Sequence, residues 1–181
     1  RAENPVHHLS KLLTNILAEP LDNGNEYFLP TSIQVPTFDV GNSAHNVIPE
    51  LATATINIRF NDEHTAESLI DWLTKKINEV FSGEKNASCH FTKEISARSF
   101  INKEGELTDI ITKSISESTG RNEKPQLATD GGTSDARFIK NYCETTELGI
   151  RNQTLHQIDE FVYIKDLEEL EKIYLKILEN Y

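Results

Sequence analysis

The stretch TATINIRFNDEHTAESLIDWLTKKINEVF, residues 53–81, decides the fold of the first half of the chain. Its first eight residues alternate between apolar and polar, which is the period of a half-buried strand. One side carries Ala54, Ile56, Ile58 and Phe60, and the other carries Thr53, Thr55, Asn57 and Arg59. From Asp62 to Phe81 the apolar residues recur every three or four positions, as in an amphipathic helix. The stretch therefore predicts a strand followed by a helix.

The flanking segments extend this pattern. Asn4 and Pro5 form a helix start, with a capping side chain followed by proline, and predict a helix from about Pro5 to Ala18. Alternation from Thr31 to Val40 predicts an earlier strand, and Ser88 to Ile95 predicts a later one. The order helix, strand, strand, helix, strand is that of a ferredoxin-like unit that lacks its first strand. We expect this antiparallel α+β unit to cover residues 1–97.

A second pattern begins near residue 98. It predicts a helix from Leu107 that ends at Gly120, and a closing helix from Asp166 to Leu178. Between them we expect short strands near 126–129 and 144–149, with a strand-to-helix turn at 130–137. Strands that alternate with helices indicate an α/β domain, here covering residues 98–181.

Composition limits the possible functions. The 181 residues include 18 Lys and Arg against 29 Asp and Glu, a net charge of -11, which argues against a nucleic-acid or anionic-membrane surface. No apolar run approaches a membrane span. The two cysteines, Cys89 and Cys143, lack a CxxC spacing and fit free thiols in a reducing compartment. We therefore expect a soluble, cytoplasmic protein. Because the chain has no methionine and opens at Arg1, we also expect it to be the later portion of a longer polypeptide.

Two segments could carry chemistry. In the turn DGGTSDAR, residues 130–137, backbone N–H groups could point at an anion, although such a glycine pair is more often simple turn geometry. His156 lies in a polar stretch between a predicted strand and the last helix, where α/β active sites cluster. The other five histidines favour structural or exposed roles. A single histidine does not hold a metal, because a catalytic zinc needs about three protein ligands.

Five motifs taken together resemble one enzyme family. They are AENPVH at 2–7, HNVIPE at 45–50, INIRF at 56–60, GGTSDARF at 131–138 and NQTLHQIDE at 152–160. In collinear order over nearly the whole chain, they resemble the succinyl-diaminopimelate desuccinylases of the zinc aminoacylase/carboxypeptidase superfamily. Acetylornithine deacetylases and dipeptidases share that architecture but usually keep less of the GGTSDAR run.

The resemblance implies a two-domain enzyme. Residues 1–97 would be an inserted lid that forms a homodimer, and residues 98–181 the C-terminal part of an α/β zinc-peptidase-like catalytic domain. The family's N-terminal half, with the general base and most metal ligands, would lie upstream. The implied reaction is hydrolysis of N-succinyl-LL-2,6-diaminopimelate to succinate and LL-diaminopimelate, in lysine and diaminopimelate biosynthesis. Two zinc ions, with cobalt as a possible substitute, would polarise the amide and activate a water. This chain alone would be inactive and would not bind zinc tightly.

Site residues also follow from the resemblance. His156 aligns with a zinc ligand, Arg59 with a clamp for a substrate carboxylate, and Asn46 with a lid residue that reaches the partner's active site. The remaining positions that align with substrate contacts are Ser96, Gly132, Thr133, Ser134, Arg137 and Asn152. By itself Arg59 could equally be a solvated charge on a strand.

Some residues depart from the family pattern, and they leave the acyl substrate open. Asp130 and Ala136 replace glycines, His45 stands where asparagine is common, and Asp159 replaces the asparagine usual before Glu160. An acetylornithine deacetylase-like or dipeptidase-like enzyme therefore remains an alternative, as does a non-catalytic dimerisation protein. The carboxylate clamp favours an enzyme, because a pure interaction module does not need one.

Overall fold

The computed structural model describes residues 3–101, 104–121, 123–129, 134–151, 153–155 and 157–181. The chain divides into two compact units, Arg1–Phe100 and Ile101–Tyr181. The first unit contains helix α1 (Pro5–Leu17), strands β1 (Ser32–Asp39) and β2 (Thr53–Arg59), and helix α2 (Ala66–Phe81). The second contains helices α3 (Glu106–Thr119), α4 (Ala136–Ile139) and α5 (Ile164–Asn180). Helices combined with a small antiparallel sheet confirm the α+β character of the first half.

The sheet pairs β1 with β2 in antiparallel register. Ser32 lies opposite Arg59 at one end, and Asp39 lies opposite Thr53 at the other. The register shifts between Gln34 and Thr37, because an extra residue in β1 forms a bulge there. The sequence carries the same irregularity, since the apolar positions of β1 change from odd numbers to even numbers between Val35 and Phe38.

One face of the sheet is covered by both helices. The buried core consists of Leu12 and Ile16 from α1 with Ile77 and Val80 from α2, and the sheet packs Ile33 and Ile56 against it. The other side of the sheet is exposed and polar. We call this side the open face; it carries Ser32, Gln34, Thr37, Asp39, Thr53, Thr55, Asn57 and Arg59. The alternation predicted for residues 53–60 is therefore confirmed.

Helix α2 begins later than the periodicity predicts, at Ala66 instead of Asp62. The Thr65 hydroxyl accepts the Ser68 backbone N–H, and the Thr65 backbone N–H donates to the Ser68 hydroxyl, which caps the helix at this point. Residues 62–64 instead belong to a polar junction in front of the helix. In this junction the Glu63 backbone N–H donates to the Asn61 side chain.

Asp22 is the centre of that junction. Its carboxylate, 4% exposed, accepts hydrogen bonds from the backbone of Gly24 at 2.7 Å and of Thr31 at 3.1 Å, and from the Asn61 amide at 2.7 Å. His64 Nε2 lies 3.0 Å from its second oxygen. Burial opposes the charged form of Asp22, but the hydrogen bonds from Thr31, Gly24 and Asn61 outweigh burial and hold the pKa of this carboxyl well below its usual range.

We expect Asp22→Ala to lower the free energy of unfolding of the first unit by roughly 2–4 kcal/mol, because several buried donors lose their acceptor. The pKa of Asp22 is lower in the folded state, so its contribution is present above the unfolded pKa of about 4 and is lost as the pH falls below it. Urea denaturation at neutral and acid pH measures both effects. Asp62→Ala is the control and should cost under about 1 kcal/mol, because the Asp62 carboxylate accepts, among the described residues, only the exposed Asn25 amide. Equal losses in the two variants would contradict this account of the junction.

The strand predicted at 88–95 is not observed. That segment has no regular structure, although Cys89 packs against the core. A strand needs a neighbour for its backbone groups, and in the described part of the first unit only β1 and β2 are paired. In a ferredoxin-like sheet the last strand pairs with the first, which is the strand that the sequence pattern lacks.

In the second unit α3 packs against α5. Their core is Ile111, Ile115 and Ile173, and the buried Ser114 hydroxyl accepts the Asn180 amide at 3.1 Å. Helix α3 ends where predicted, at Gly120, whose φ of 68° favours glycine. The strands predicted at 126–129 and 144–149 are absent from the described residues of this unit. The second segment instead packs Leu148 against α5, where the Tyr174 hydroxyl donates to the Leu148 carbonyl at 2.6 Å.

The cysteines and the lengths of the helices were also subjects of the sequence predictions. Both cysteines are free; Cys143 is exposed, and burial raises the pKa of the Cys89 thiol. None of the helices in the described ranges is both long and apolar enough to cross a membrane.

Candidate functional site

Arg59 is the last residue of β2 and lies on the open face. The residues on either side of it, Ile58 and Phe60, are half-buried, so the alternation places Arg59 on the exposed side. Within the described residues its guanidinium has no hydrogen bond or ion pair. An unpaired guanidinium offers a planar set of donors that matches a carboxylate. Its position suits the predicted clamp, and its exposure alone also suits a solvated charge.

Asn46 lies in the connection between β1 and β2 and is exposed. The Asn42 amide braces this connection by donating to the Ala44 carbonyl at 3.0 Å and to the Val47 carbonyl at 2.8 Å. The connection leaves the sheet at the Asp39–Thr53 end, whereas Arg59 lies at the opposite end. With about 3.3 Å per residue, the two ends of β2 lie roughly 20 Å apart. The connection that carries Asn46 therefore begins and ends at the end of the sheet opposite to Arg59.

Ser96 is exposed in the irregular segment that follows α2. Two residues later, Arg98 Nη2 lies 3.6 Å from Glu67 Oε1 in the first turn of α2. This contact places Arg98 beside the start of α2, which follows Arg59 by a short connection. This pair is exposed and contributes little to stability.

Ser134 and Arg137 lie at the start of α4 and are half-buried. The Ser134 hydroxyl accepts the Ala136 backbone N–H at 3.0 Å, and the Arg137 guanidinium carbon lies 4.7 Å from the centre of the Phe138 ring. Arg137 Nε is buried and has no hydrogen-bond partner in the described part of the chain. Gly132 and Thr133, predicted for the same turn, lie outside the described residues.

The segment around His156 is closed by Thr154. Its hydroxyl donates to the Phe161 carbonyl at 2.9 Å and accepts the Phe161 backbone N–H at 3.1 Å. Within this loop Asp159 has a φ of 62°, a left-handed conformation that asparagine and aspartate tolerate better than most residues. His156 itself and Asn152 lie outside the described residues.

The sequence interpretation missed two bracing residues, Asn42 and Thr154. Each holds a loop that carries a predicted site residue, and each does so through side-chain bonds to the backbone. Asparagine and threonine in loops commonly make such bonds, so their residue types were the available signal.

A third group contains possible metal ligands. Glu3, His8 and Glu84 each bring one ligand atom within 4.8 Å of the others. Glu3 Oε2 lies 3.0 Å from Nε2 of His8 and Glu84 Oε1 lies 3.9 Å from Nδ1, on opposite sides of the ring. The resemblance assigns none of these three residues as a zinc ligand, so this group stands apart from the predicted zinc site.

Comparison with known proteins finds similarity along the whole chain. Residues 1–85 match the peptidase dimerisation domain. The chain is 41% identical over its whole length to a succinyl-diaminopimelate desuccinylase of Cereibacter sphaeroides, and 44% identical over its whole length to one of Paracoccus denitrificans; it covers 47% of each. A desuccinylase of Rhodospirillum rubrum is 44% identical over 98% of the chain, which covers 44% of that relative.

The chain thus spans about half the length of the curated relatives that it matches. The identity extends through both units, and the dimerisation domain match falls within the first. The resemblance predicted from the five motifs is confirmed: this chain is similar to succinyl-diaminopimelate desuccinylases over its whole length, and its residues 1–85 match the peptidase dimerisation domain.

Proposed function

We propose that this chain is part of a zinc-dependent amidohydrolase that converts N-succinyl-LL-2,6-diaminopimelate to succinate and LL-diaminopimelate, a step of lysine and diaminopimelate biosynthesis. The observation that carries the proposal is the 41–44% identity, over the whole chain, to relatives named succinyl-diaminopimelate desuccinylase. The exposed, unpaired Arg59 on the open face supports it, because the substrate is rich in carboxylates.

In this proposal Arg59 binds a substrate carboxylate. The turn at the start of α4 supplies further contacts through Ser134 and Arg137, whose buried Nε lacks a partner in the described part of the chain. We assign the same role, from the resemblance, to Ser96, Gly132, Thr133 and Asn152. These residues orient the substrate, and the general base belongs to the part of the relatives that this chain does not span.

The residues of this chain do not by themselves suit a two-zinc centre. The resemblance supplies one ligand, His156, whereas each ion needs about three or four. In the group of Glu3, His8 and Glu84, one carboxylate lies beside each ring nitrogen of His8. The resemblance assigns no zinc ligand to these residues. We therefore expect far less than one zinc per chain after the 181-residue protein is dialysed against metal-free buffer. The same measurement on the His8→Ala variant shows how much of any residual zinc is bound at the group that contains His8.

We further propose that residues 1–97 form a ferredoxin-like lid that assembles as a homodimer. The match of residues 1–85 to the peptidase dimerisation domain supports this assembly. So does the position of the connection that carries Asn46, which leaves the sheet at the end opposite to Arg59. In the dimer, Asn46 would contribute to the active site of the other subunit.

The dimer should be visible in light scattering. Twice the chain mass of 20.5 kDa is expected at micromolar concentration, since a two-stranded sheet leaves strand edges free to pair. A dilution series serves as the control, because a specific dimer dissociates to a single smaller species. A monomer at every concentration would contradict assembly through the lid.

Residues 98–181 are proposed as the C-terminal part of the catalytic domain. The second unit exposes large apolar side chains, including Ile158 at 95%, Leu178 at 76% and Leu175 at 59%. A complete domain seldom leaves so much apolar surface in contact with water. The part of the relatives that this chain does not span could cover it.

The specificity for the acyl group can be tested by comparing kcat/KM for three substrates. The full-length protein should prefer N-succinyl-LL-2,6-diaminopimelate over N-acetylornithine and over simple dipeptides by at least about a hundredfold in kcat/KM, because the preferred substrate offers more charged groups to bind. A preference for N-acetylornithine or for a dipeptide would assign the chain to one of those relatives. Absence of hydrolysis of all three would favour the non-catalytic dimerisation protein.

A further inference from the structure

We propose that four side chains on the open face bind the free amino-acid end of the substrate, with its carboxylate on Arg59 and its ammonium on neighbouring amide oxygens. The four residues, which we call the Arg59 block, are Ser32, Gln34, Asn57 and Arg59. This inference rests on the proposed function, and it adds which end of the substrate the lid recognises.

The register of the sheet creates the block. Ser32 lies opposite Arg59, and Gln34 lies opposite Asn57. Opposite residues of an antiparallel pair have Cβ atoms about 5 Å apart, and alternate residues of one strand are about 6.6 Å apart. All four side chains are exposed. They therefore form a two-by-two array whose size matches one amino-acid group.

The block differs from the rest of the open face in its hydrogen bonding. Beyond the bulge, the Thr37 hydroxyl donates to the Thr55 hydroxyl at 2.9 Å, and the Thr53 hydroxyl donates to the Asp39 carbonyl at 3.4 Å. Among the described residues, no side chain of the block takes part in a hydrogen bond or ion pair. The polar groups of the block therefore remain available to a ligand.

The chemistry of the block suits a carboxylate with an ammonium beside it. Arg59 donates only, and it matches the carboxylate. Gln34 and Asn57 each add an amide oxygen that can accept from an ammonium and an NH2 group that can donate. In a chain of net charge -11, the block carries no acidic residue, so nothing in it repels the carboxylate. The succinyl end of the substrate has a carboxylate without an ammonium and would not need the amide oxygens.

The test is a comparison of two substrates in the full-length protein. One is N-succinyl-LL-2,6-diaminopimelate, and the other is the analogue in which hydrogen replaces the free amino group. Asn57→Ala should raise KM for the complete substrate about tenfold and change kcat less than about threefold, because a hydrogen bond to a charged group is lost from binding. With the analogue, the variant and the unaltered protein should differ less than about twofold, since no ammonium is present.

Thr55→Val is the matched control, because it lies on the same strand and the same face but outside the block. It should leave both KM values unchanged. Asn57→Ser, which keeps a small polar residue, replaces Asn57→Ala if thermal unfolding shows that the alanine variant is misfolded. A KM that rises equally for both substrates, or that does not rise, would overturn the inference. If the unaltered protein hydrolyses neither compound, the proposed function itself fails, which is a different result.

Discussion

His156→Ala in the full-length protein is expected to reduce kcat/KM for N-succinyl-LL-2,6-diaminopimelate by about a thousandfold or more. The family resemblance makes His156 a ligand of a metal whose electrostatic contribution to the transition state is worth several kcal/mol, at about 1.4 kcal/mol per factor of ten. Metal content should fall together with activity. The measurement is steady-state hydrolysis together with metal analysis of the same preparation.

His90→Ala is the control for this prediction, since His90 is an exposed histidine outside the motifs. It should keep activity within about twofold and retain the metal, as expected for a surface substitution. If His156→Ala kept full activity, His156 would not be a metal ligand, and the alignment of the NQTLHQIDE motif would lose its functional meaning.

Arg59→Ala is expected to produce the second largest loss, roughly 2–4 kcal/mol in kcat/KM, or about 30-fold to 1000-fold. The variant removes the charge-assisted pair that we propose between Arg59 and a substrate carboxylate. Arg59→Lys should recover only part of the loss, because an ammonium cannot make the planar two-bond contact. The measurement is the kinetics of all three proteins at one ionic strength.

Arg121→Ala provides the comparison for Arg59. Arg121 forms an exposed ion pair with Glu169 at 2.7 Å, and such pairs contribute little. It should therefore leave kcat/KM unchanged. A loss below about tenfold in Arg59→Ala, equivalent to 1.4 kcal/mol, would return Arg59 to the role of a solvated charge.

The elements that the sequence predicted correctly are those in which the spacing of apolar residues alone shows which side is buried. Helices α1 and α5 begin within two residues of their predicted starts, and the Asn4 side chain caps α1 as expected by accepting the Val6 N–H at 3.0 Å. The alternation in residues 53–60 places Arg59 on the exposed face. In each of these cases the pattern itself records which side of the element is buried.

The features that were missed depend on contacts distant in sequence. A strand pattern at 88–95 does not reveal whether a pairing neighbour is present. The Asp22 junction joins residues up to 42 positions apart, and no local sequence pattern records such contacts. His156 and Asn152 lie outside the described residues, and only the resemblance assigned roles to them.

The most direct test of the account compares the 181-residue chain with the full-length protein in one assay. Each is incubated with N-succinyl-LL-2,6-diaminopimelate and added zinc, and the succinate released is measured. We expect metal-dependent release by the full-length protein, abolished by a chelator, and no release by the 181-residue chain, because the chain brings substrate contacts and one ligand of a site that needs several. Succinate release by the 181-residue chain, or a full-length protein that stays inert with zinc, would contradict it.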